Sequence, residues 1–160
     1  MDNFSIKLFY QKSLVIKALT LSKWPILISL IITPLRFSLE LAGIPDNYIF
    51  IIGLLWLTLA FSVYWGIKLY QQKQAFLILL IGLCIFSPIS RIPVAILWWV
   101  DNNLELGTHY GLFFDNWINA LLNHIIYGSL VQIIPGFLLG SITIIIMKKM
   151  KSETIKSQTL

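Results

Sequence analysis

Apolar residues run along the chain in four stretches, each long enough to cross a membrane as a helix. About 20 mostly apolar residues span the hydrocarbon core, because every backbone N–H and C=O must be satisfied within the segment. The stretches cover about residues 19–41, 48–67, 75–100 and 117–147. We therefore predict an all-α polytopic membrane protein, a four-transmembrane-helix bundle with a basic N-terminal segment (1–18) and a basic tail (148–160).

The composition agrees with this pattern and excludes a water-soluble fold. Hydrophobic residues make up 58% of the chain and charged residues 12%, about half the charged share of a soluble globular protein. Cys84 is the single cysteine, so an intrachain disulfide or a cysteine-based zinc site is excluded. Its apolar surroundings in the sequence favour a packed thiol over a reactive one.

The distribution of charge predicts the orientation of the chain. Ten of the twelve basic residues lie in the N-terminal stretch, the second connection and the tail (Lys7, Lys12, Lys17, Lys23, Lys68, Lys73, Lys148, Lys149, Lys151, Lys156). Five of the seven acids lie in the other two connections (Glu40, Asp46, Asp101, Glu105, Asp115). Because basic residues in short loops stay on the cytoplasmic side, we predict both termini inside and the acidic loops outside, in a bacterial inner or plasma membrane. The lysines flank apolar stretches rather than forming one basic face, so no nucleic-acid partner is expected.

A short repeat relates the first and third spans. Thr33-Pro34-Leu35-Arg36 precedes Asp46, and Ser87-Pro88-Ile89-Ser90-Arg91 precedes Asp101. The prolines stand 54 residues apart and the aspartates 55, as expected of two repeated helical hairpins of the same orientation. Chance is the alternative, since proline is common in membrane helices. If the repeat holds, it places Arg36 and Arg91 side by side near the outer leaflet.

The two arginines allow two interpretations. A charge inside a membrane helix costs roughly 2.5 to 3.5 kcal/mol on insertion scales, and it usually faces water or a partner. In the first, Arg36 pairs with Glu40 one turn on, and Arg91 reaches Asp101 or the headgroups. In the second, both guanidinium groups bind an anionic group such as a lipid phosphate.

A second polar feature opens the fourth span. Asn116, Asn119, Asn123 and Tyr127 recur at steps of three, four and four, which predicts one stripe on an α-helix, with His124 beside it. Such amides often join helices by hydrogen bonds. The sharper hypothesis is a pocket in which this stripe faces the arginines. The candidate ligand-binding residues are then Arg36, Arg91, Asn119, Asn123, His124 and Tyr127.

The remaining chemistry is sparse. Asp101, Glu105 and His109 would share a face of a helix, but turn-forming residues interrupt the segment, and we predict no metal site and no cofactor. Nucleophile-elbow, metalloprotease, P-loop and dinucleotide motifs are absent from the sequence.

These patterns favour a non-enzymatic membrane module over an enzyme. We expect it to bind a lipid-like ligand or partner membrane subunits, as a homo-oligomer or with another chain, in transport or envelope assembly. The alternative is a membrane-embedded enzyme acting on a lipid or isoprenoid, with His124, Asp115 or Glu105 as the acid or base.

Overall fold

The fold is a bundle of long helices. A computed structural model describes residues 3–111 and 113–158, and the side chains of residues 11–45, 47–111 and 113–154. Its α-helices are α1 (Asn3–Leu41), α2 (Asp46–Ile49), α3 (Leu54–Leu69), α4 (Ala75–Leu104), α5 (Trp117–Leu122) and α6 (Gly128–Gln158). A 3-10 turn covers His109–Gly111, and a π-helical segment, Asn123–Tyr127, joins α5 to α6.

Four helical stretches in this part of the chain are long and apolar enough to cross a membrane. They cover Gln11–Leu41, Asn47–Leu69, Ala75–Leu104 and Trp117–Thr154. The prediction of an all-α, multi-pass membrane protein with four spanning helices is therefore confirmed. No strand occurs among the described residues. Cys84, expected to be a packed thiol, is exposed on the surface of the bundle.

The observed helix ends differ from the predicted ones in two places. α1 begins at Asn3, well before the predicted start of the first span, and Leu14 and Ala18 are buried in the bundle. The second span is interrupted, because Gly53 has an extended backbone and α3 starts only at Leu54.

Contacts between helix ends show an up-and-down arrangement. At one end, Lys17 Nζ of α1 donates to Gln72 Oε1 after α3 at 3.2 Å, and Lys148 Nζ of α6 lies 5.3 Å from the Phe76 ring centroid of α4. At the other end, Glu40 of α1 pairs with His109 after α4. We call these the lysine end and the loop end of the bundle. The side chains of Lys7, Asp46 and Lys156, which enter the predicted charge bias, lie outside the described residues.

The interior contains aromatic and aliphatic packing and a close approach of two helices. Toward the lysine end, Trp65 and Phe86 meet edge to face, with ring centroids 6.4 Å apart, beside the buried Leu79 and Leu83. α3 and α6 pack through small residues. A Cβ added at Gly66 would lie 2.8 Å from Gly140 O, so only glycine permits this approach.

Candidate functional site

A cavity at the loop end of the bundle brings the two membrane arginines together. It has a volume of about 150 Å³. Its lining residues come from α1, the start of α3 and α4, and they are Arg36, Phe50, Gly53, Leu54, Leu55, Trp56, Arg91 and Val94. We call this space the arginine cavity. The sequence repeat predicted that Arg36 and Arg91 lie close together, and the structure places both in the lining of this cavity.

The ion pairs predicted for these arginines are not formed. One Glu40 oxygen accepts from the backbone N–H of His109, and the other pairs with its Nδ1. Asp101 Oδ1 accepts from the Thr108 N–H at 3.0 Å. Both carboxylates therefore hold the loop after α4 rather than an arginine. Of the two interpretations, the one in which Arg36 pairs with Glu40 and Arg91 with Asp101 is contradicted. Among the side chains that the structure describes, neither arginine has an ion-pair partner.

Arg91 is held by a neutral partner instead. With the Gln132 amide oriented to satisfy its neighbours, its oxygen accepts from Nε and Nη2 of Arg91, each at 3.3 Å. Its nitrogen then donates to the hydroxyls of Ser87 and Ser90, at 3.3 and 3.2 Å. Gln132 is fully buried. The network orients the guanidinium without cancelling its charge.

A glycine on α6 leaves room for the Arg91 side chain. A Cβ at Gly128, the first residue of α6, would lie 3.1 Å from Arg91 Nε and 3.2 Å from its Cζ. These distances leave room for glycine and little more. The guanidinium therefore lies between α4 and the start of α6.

Arg36 is less completely satisfied. Its Nε is enclosed and has no hydrogen-bond partner among the described atoms. The Oγ1 of Thr33, one turn earlier on α1, is likewise buried without one. An enclosed donor without a partner costs about 1–3 kcal/mol, so Arg36 is held less favourably than Arg91.

The first turn of α3 forms another wall of the arginine cavity. Gly53 is the N-cap and offers no side-chain cap, and the intrahelical bonds begin with the Leu57 N–H donating to Gly53 O at 3.1 Å. A helix start leaves several N–H groups without intrahelical partners and carries a partial positive charge. Because these residues line the cavity, this wall adds to the positive potential of the arginines.

The loop after α4 closes the same end of the bundle. Tyr110 is buried and packs edge to face on Phe37 of α1, with ring centroids 5.5 Å apart. Burial raises the pKa of the Tyr110 hydroxyl; the charge of Arg36 lowers it, that of Glu40 raises it, and that of Arg91 lowers it. Tyr110 therefore lies within electrostatic range of both arginines.

The predicted stripe of amides does not reach this cavity. Asn116 caps α5 by accepting from the Asn119 N–H, and Asn123 Nδ2 donates back to Asn119 O at 2.8 Å. Asn119 is exposed, and Tyr127 is 66% exposed. The hypothesis that these residues face the arginines is therefore wrong. The stripe lies on an outward face, because the neighbouring positions face the bundle interior. Ala120 is fully buried, and Gly128 and Gln132 lie against Arg91.

The three candidate acids and bases lie in different surroundings. Asp115 and Glu105 are exposed, and Glu105 ends α4 in a left-handed conformation (φ 50°). His124 is half-buried, with its ring 5.3 Å from the Phe114 ring in an edge-to-face contact. Its Nε2 is enclosed without a hydrogen-bond partner in the described part of the chain, and the residue lies within electrostatic range of Arg91.

The three residues considered for a metal ion do not converge. Asp101 holds Thr108, Glu105 is exposed and His109 pairs with Glu40. Within residues 3–111 and 113–158, no group of three His, Cys, Asp or Glu side chains could hold a metal ion.

Two contributors to the site were not predicted. Gln132 is a polar residue deep in an apolar span, which is a signal in the sequence, but its partner is not readable there. Gly53 lies inside the predicted second span, and no flanking residue marks it as a helix start, although glycine is accepted at an N-cap. Comparison of the chain with known proteins finds no matching family model, no matching curated protein and no matching solved structure.

Proposed function

We propose that this protein is a small membrane module that binds the anionic headgroup of a lipid-like ligand in the arginine cavity. One observation carries the proposal: Arg36 and Arg91 line one cavity, and neither is paired with a carboxylate that the structure describes. An arginine placed only for packing would be expected to have an acidic partner or open water. The α3 start adds further positive potential, and a phosphate suits the planar fork of arginine.

The proposed orientation places this cavity in the outer leaflet. The lysine-rich end of the bundle would face the cytoplasm together with both termini, in a bacterial inner or plasma membrane. A topology reporter fused at Asn103, in the exposed last turn of α4, should therefore read as external. A cytoplasmic signal there would overturn the orientation.

The wider role follows from the size of the bundle. A single four-helix unit encloses little space for an aqueous path, so a part in transport would require a homo-oligomer or a partner membrane subunit. Presenting or holding a lipid during envelope assembly needs no such path.

A second candidate function rests on His124. Its enclosed, unpartnered Nε2 near Arg91 is the feature that an acid or base in a lipid-modifying enzyme would need. None of His124, Asp115 and Glu105 lines the arginine cavity, so a substrate bound there would have to reach beyond the cavity to meet His124. A His124→Gln protein that still retains lipid but no longer modifies it would favour this function.

Lipid retention tests the headgroup proposal directly. The protein is reconstituted with equal amounts of phosphatidic acid and phosphatidylcholine, extracted in mild detergent and examined by native mass spectrometry. We expect phosphatidic acid to be retained in preference, and Arg36→Ala or Arg91→Ala to remove the preference.

Two control variants separate the possible causes of that loss. Arg91→Lys keeps the charge but not the fork, and should weaken the preference less than alanine does. Lys73→Ala removes one positive charge from the lysine end, where Lys73 is exposed and lines neither the arginine cavity nor a groove, and should have no effect. Unchanged retention in both arginine-to-alanine variants, with folding intact, would refute the proposal.

A further inference from the structure

An apolar groove lies between α1 and α3. Its walls are Trp24 and Ile28 on α1 and Ala60, Phe61 and Tyr64 on α3. It has a volume of about 450 Å³, three times that of the arginine cavity. Trp24 is 65% exposed and Ala60 is exposed, so the groove opens toward the surroundings of the bundle. We call it the α1–α3 groove.

The groove continues the arginine cavity along the same helix ridges. On α3, Trp56 of the cavity is followed at steps of four by Ala60 and Tyr64 of the groove. On α1, Ile28 lies two steps of four before Arg36. Residues four apart form one ridge of a helix, so groove and cavity lie along the same α1–α3 seam. Trp24 is twelve residues before Arg36, about 18 Å along the helix at 1.5 Å per residue.

We infer that the α1–α3 groove binds the hydrocarbon chain of the ligand whose anionic headgroup lies in the arginine cavity. The inference rests on the proposed function and adds the place of the ligand's chain: it lies along the α1–α3 groove rather than free in the bilayer. It is supported by the shape of the α1–α3 seam, which has positive charge at one end and apolar and aromatic walls at the other. An amphiphile has the same two parts. A free phosphate would use only the arginine end.

Another exposed groove provides an internal comparison. Ile96, Trp99 and Trp117 line a space of about 350 Å³ between α4 and α5, also toward the loop end. Its lining is apolar and aromatic like that of the α1–α3 groove, but it includes no arginine or lysine. Bulk lipid that only covers apolar surface would fill both grooves without regard to headgroup.

Photo-crosslinking locates the chain. Phosphatidic acid and phosphatidylcholine, each with a diazirine in the acyl chain, are incorporated separately at equal mole fraction, and crosslinked peptides are identified by mass spectrometry. At residues 24–28 and 60–64 we expect phosphatidic acid to label about five-fold more than phosphatidylcholine, whose choline offsets the charge of its phosphate. This ratio is that expected of one arginine near a headgroup with net negative charge. At Ile96, Trp99 and Trp117 the two lipids should label equally.

Two tryptophan substitutions test the groove itself. Ala60→Trp fills the α1–α3 groove and should abolish the excess labelling there. Ile142→Trp places the same side chain on α6 at a residue that is 52% exposed, outside the groove, and should leave the excess unchanged. Both variants are checked for folding by thermal unfolding. If Ala60→Trp does not fold, Ala60→Leu replaces it as a smaller obstruction.

The outcomes distinguish the two proposals. Suppose that phosphatidic acid is retained in preference but the two lipids label the α1–α3 groove equally. That result would overturn the chain placement and leave the headgroup proposal standing. Absence of the phosphatidic acid preference in wild-type protein would overturn both. Persistence of the excess labelling in folded Arg36→Ala would show that the chain binds independently of the cavity, and would also overturn the inference.

Discussion

Gln132 and Arg91 form the central polar contact of the bundle, an amide oxygen that accepts two hydrogen bonds from a guanidinium at 3.3 Å. The pairing reconciles two requirements. A buried arginine needs acceptors, yet an anion-binding arginine must keep its charge. A carboxylate would accept from the guanidinium but would also neutralise its charge. A neutral amide accepts from the guanidinium and leaves its charge uncompensated.

Gln132→Leu should destabilise the protein. It removes the acceptor of Arg91 and a partner of the Ser87 and Ser90 hydroxyls, and leaving such groups unsatisfied costs about 1–3 kcal/mol. Thermal and denaturant unfolding in detergent measure the change. Gln71→Leu is the matched control, because Gln71 is exposed at the lysine end and its replacement should stay within about 0.5 kcal/mol. Equal effects of the two substitutions would contradict the assigned network.

Gln132→Glu should separate stability from binding. The side chain is nearly isosteric, and a carboxylate would pair with Arg91. The serine hydroxyls, which accept from the amide nitrogen of Gln132, would have to turn and donate to the carboxylate. We expect the protein to remain folded and to lose its preference for phosphatidic acid in the retention assay. Retained preference would show that the charge of Arg91 does not select the headgroup.

The glycines between α3 and α6 give a prediction about packing. A Cβ at Gly66 would lie 2.7 Å from Thr143 Cβ, whereas one at Gly82 of α4 would meet nothing closer than a Trp65 ring carbon at 3.4 Å. Gly66→Ala should therefore destabilise the bundle by about 1–3 kcal/mol through overpacking. Gly82→Ala should be neutral or slightly stabilising, because alanine favours the helix. Unfolding in detergent compares the pair, and a Gly66→Ala protein as stable as Gly82→Ala would refute the close approach.

The sequence predicted the fold class and one relationship inside the site. Long apolar stretches determine spanning helices almost regardless of detail, because the bilayer admits few other structures. The neighbourhood of Arg36 and Arg91 followed from the repeat, since equivalent positions in parallel helices lie at similar depth.

Other features of the site depend on contacts that no local pattern records. Glu40 and His109 are 69 residues apart and meet because a loop folds back over α1. The spacing of the amide stripe predicts a shared helix face but not which face turns toward the bundle, and Asn119 and Tyr127 lie on the exposed one. Gly136 and Gly140 show the small-residue spacing of close helix packing, but the spacing does not name α3 as the partner.

Glu40→Gln should loosen the loop after α4. The substitution removes the charge that pairs with His109, while one oxygen can still accept from the His109 N–H. A lost charge-assisted bond is worth about 1.5–3 kcal/mol, and we expect faster amide hydrogen exchange over Thr108–Gly111 with little change in the spanning helices. Glu105→Gln, at an exposed carboxylate in the same loop, is the control. Unchanged exchange would mean that Tyr110 packing alone holds the loop.

Burial of the Tyr110 hydroxyl should make the protein less stable at alkaline pH. Its pKa in the folded protein is raised, chiefly by burial, so the folded state holds the phenol proton more tightly than the unfolded chain, whose value is near 10. Between the two values the folded state binds more protons, and raising the pH therefore favours unfolding. The contribution is complete below about pH 10 and is lost as the pH rises through the folded-state pKa.

Tyr110→Phe isolates this contribution, because it removes the titrating hydroxyl and keeps the ring that packs on Phe37. We expect the unfolding midpoints of wild type and variant, measured from pH 8 to 11, to run parallel at the lower end and the wild-type midpoint to fall more steeply above about pH 10. Tyr48→Phe, at a ring that is 66% exposed, controls for the loss of a phenol as such. Curves that stay parallel throughout would mean that the hydroxyl remains hydrated, and Tyr110 would then line an open path to the arginine cavity rather than close it.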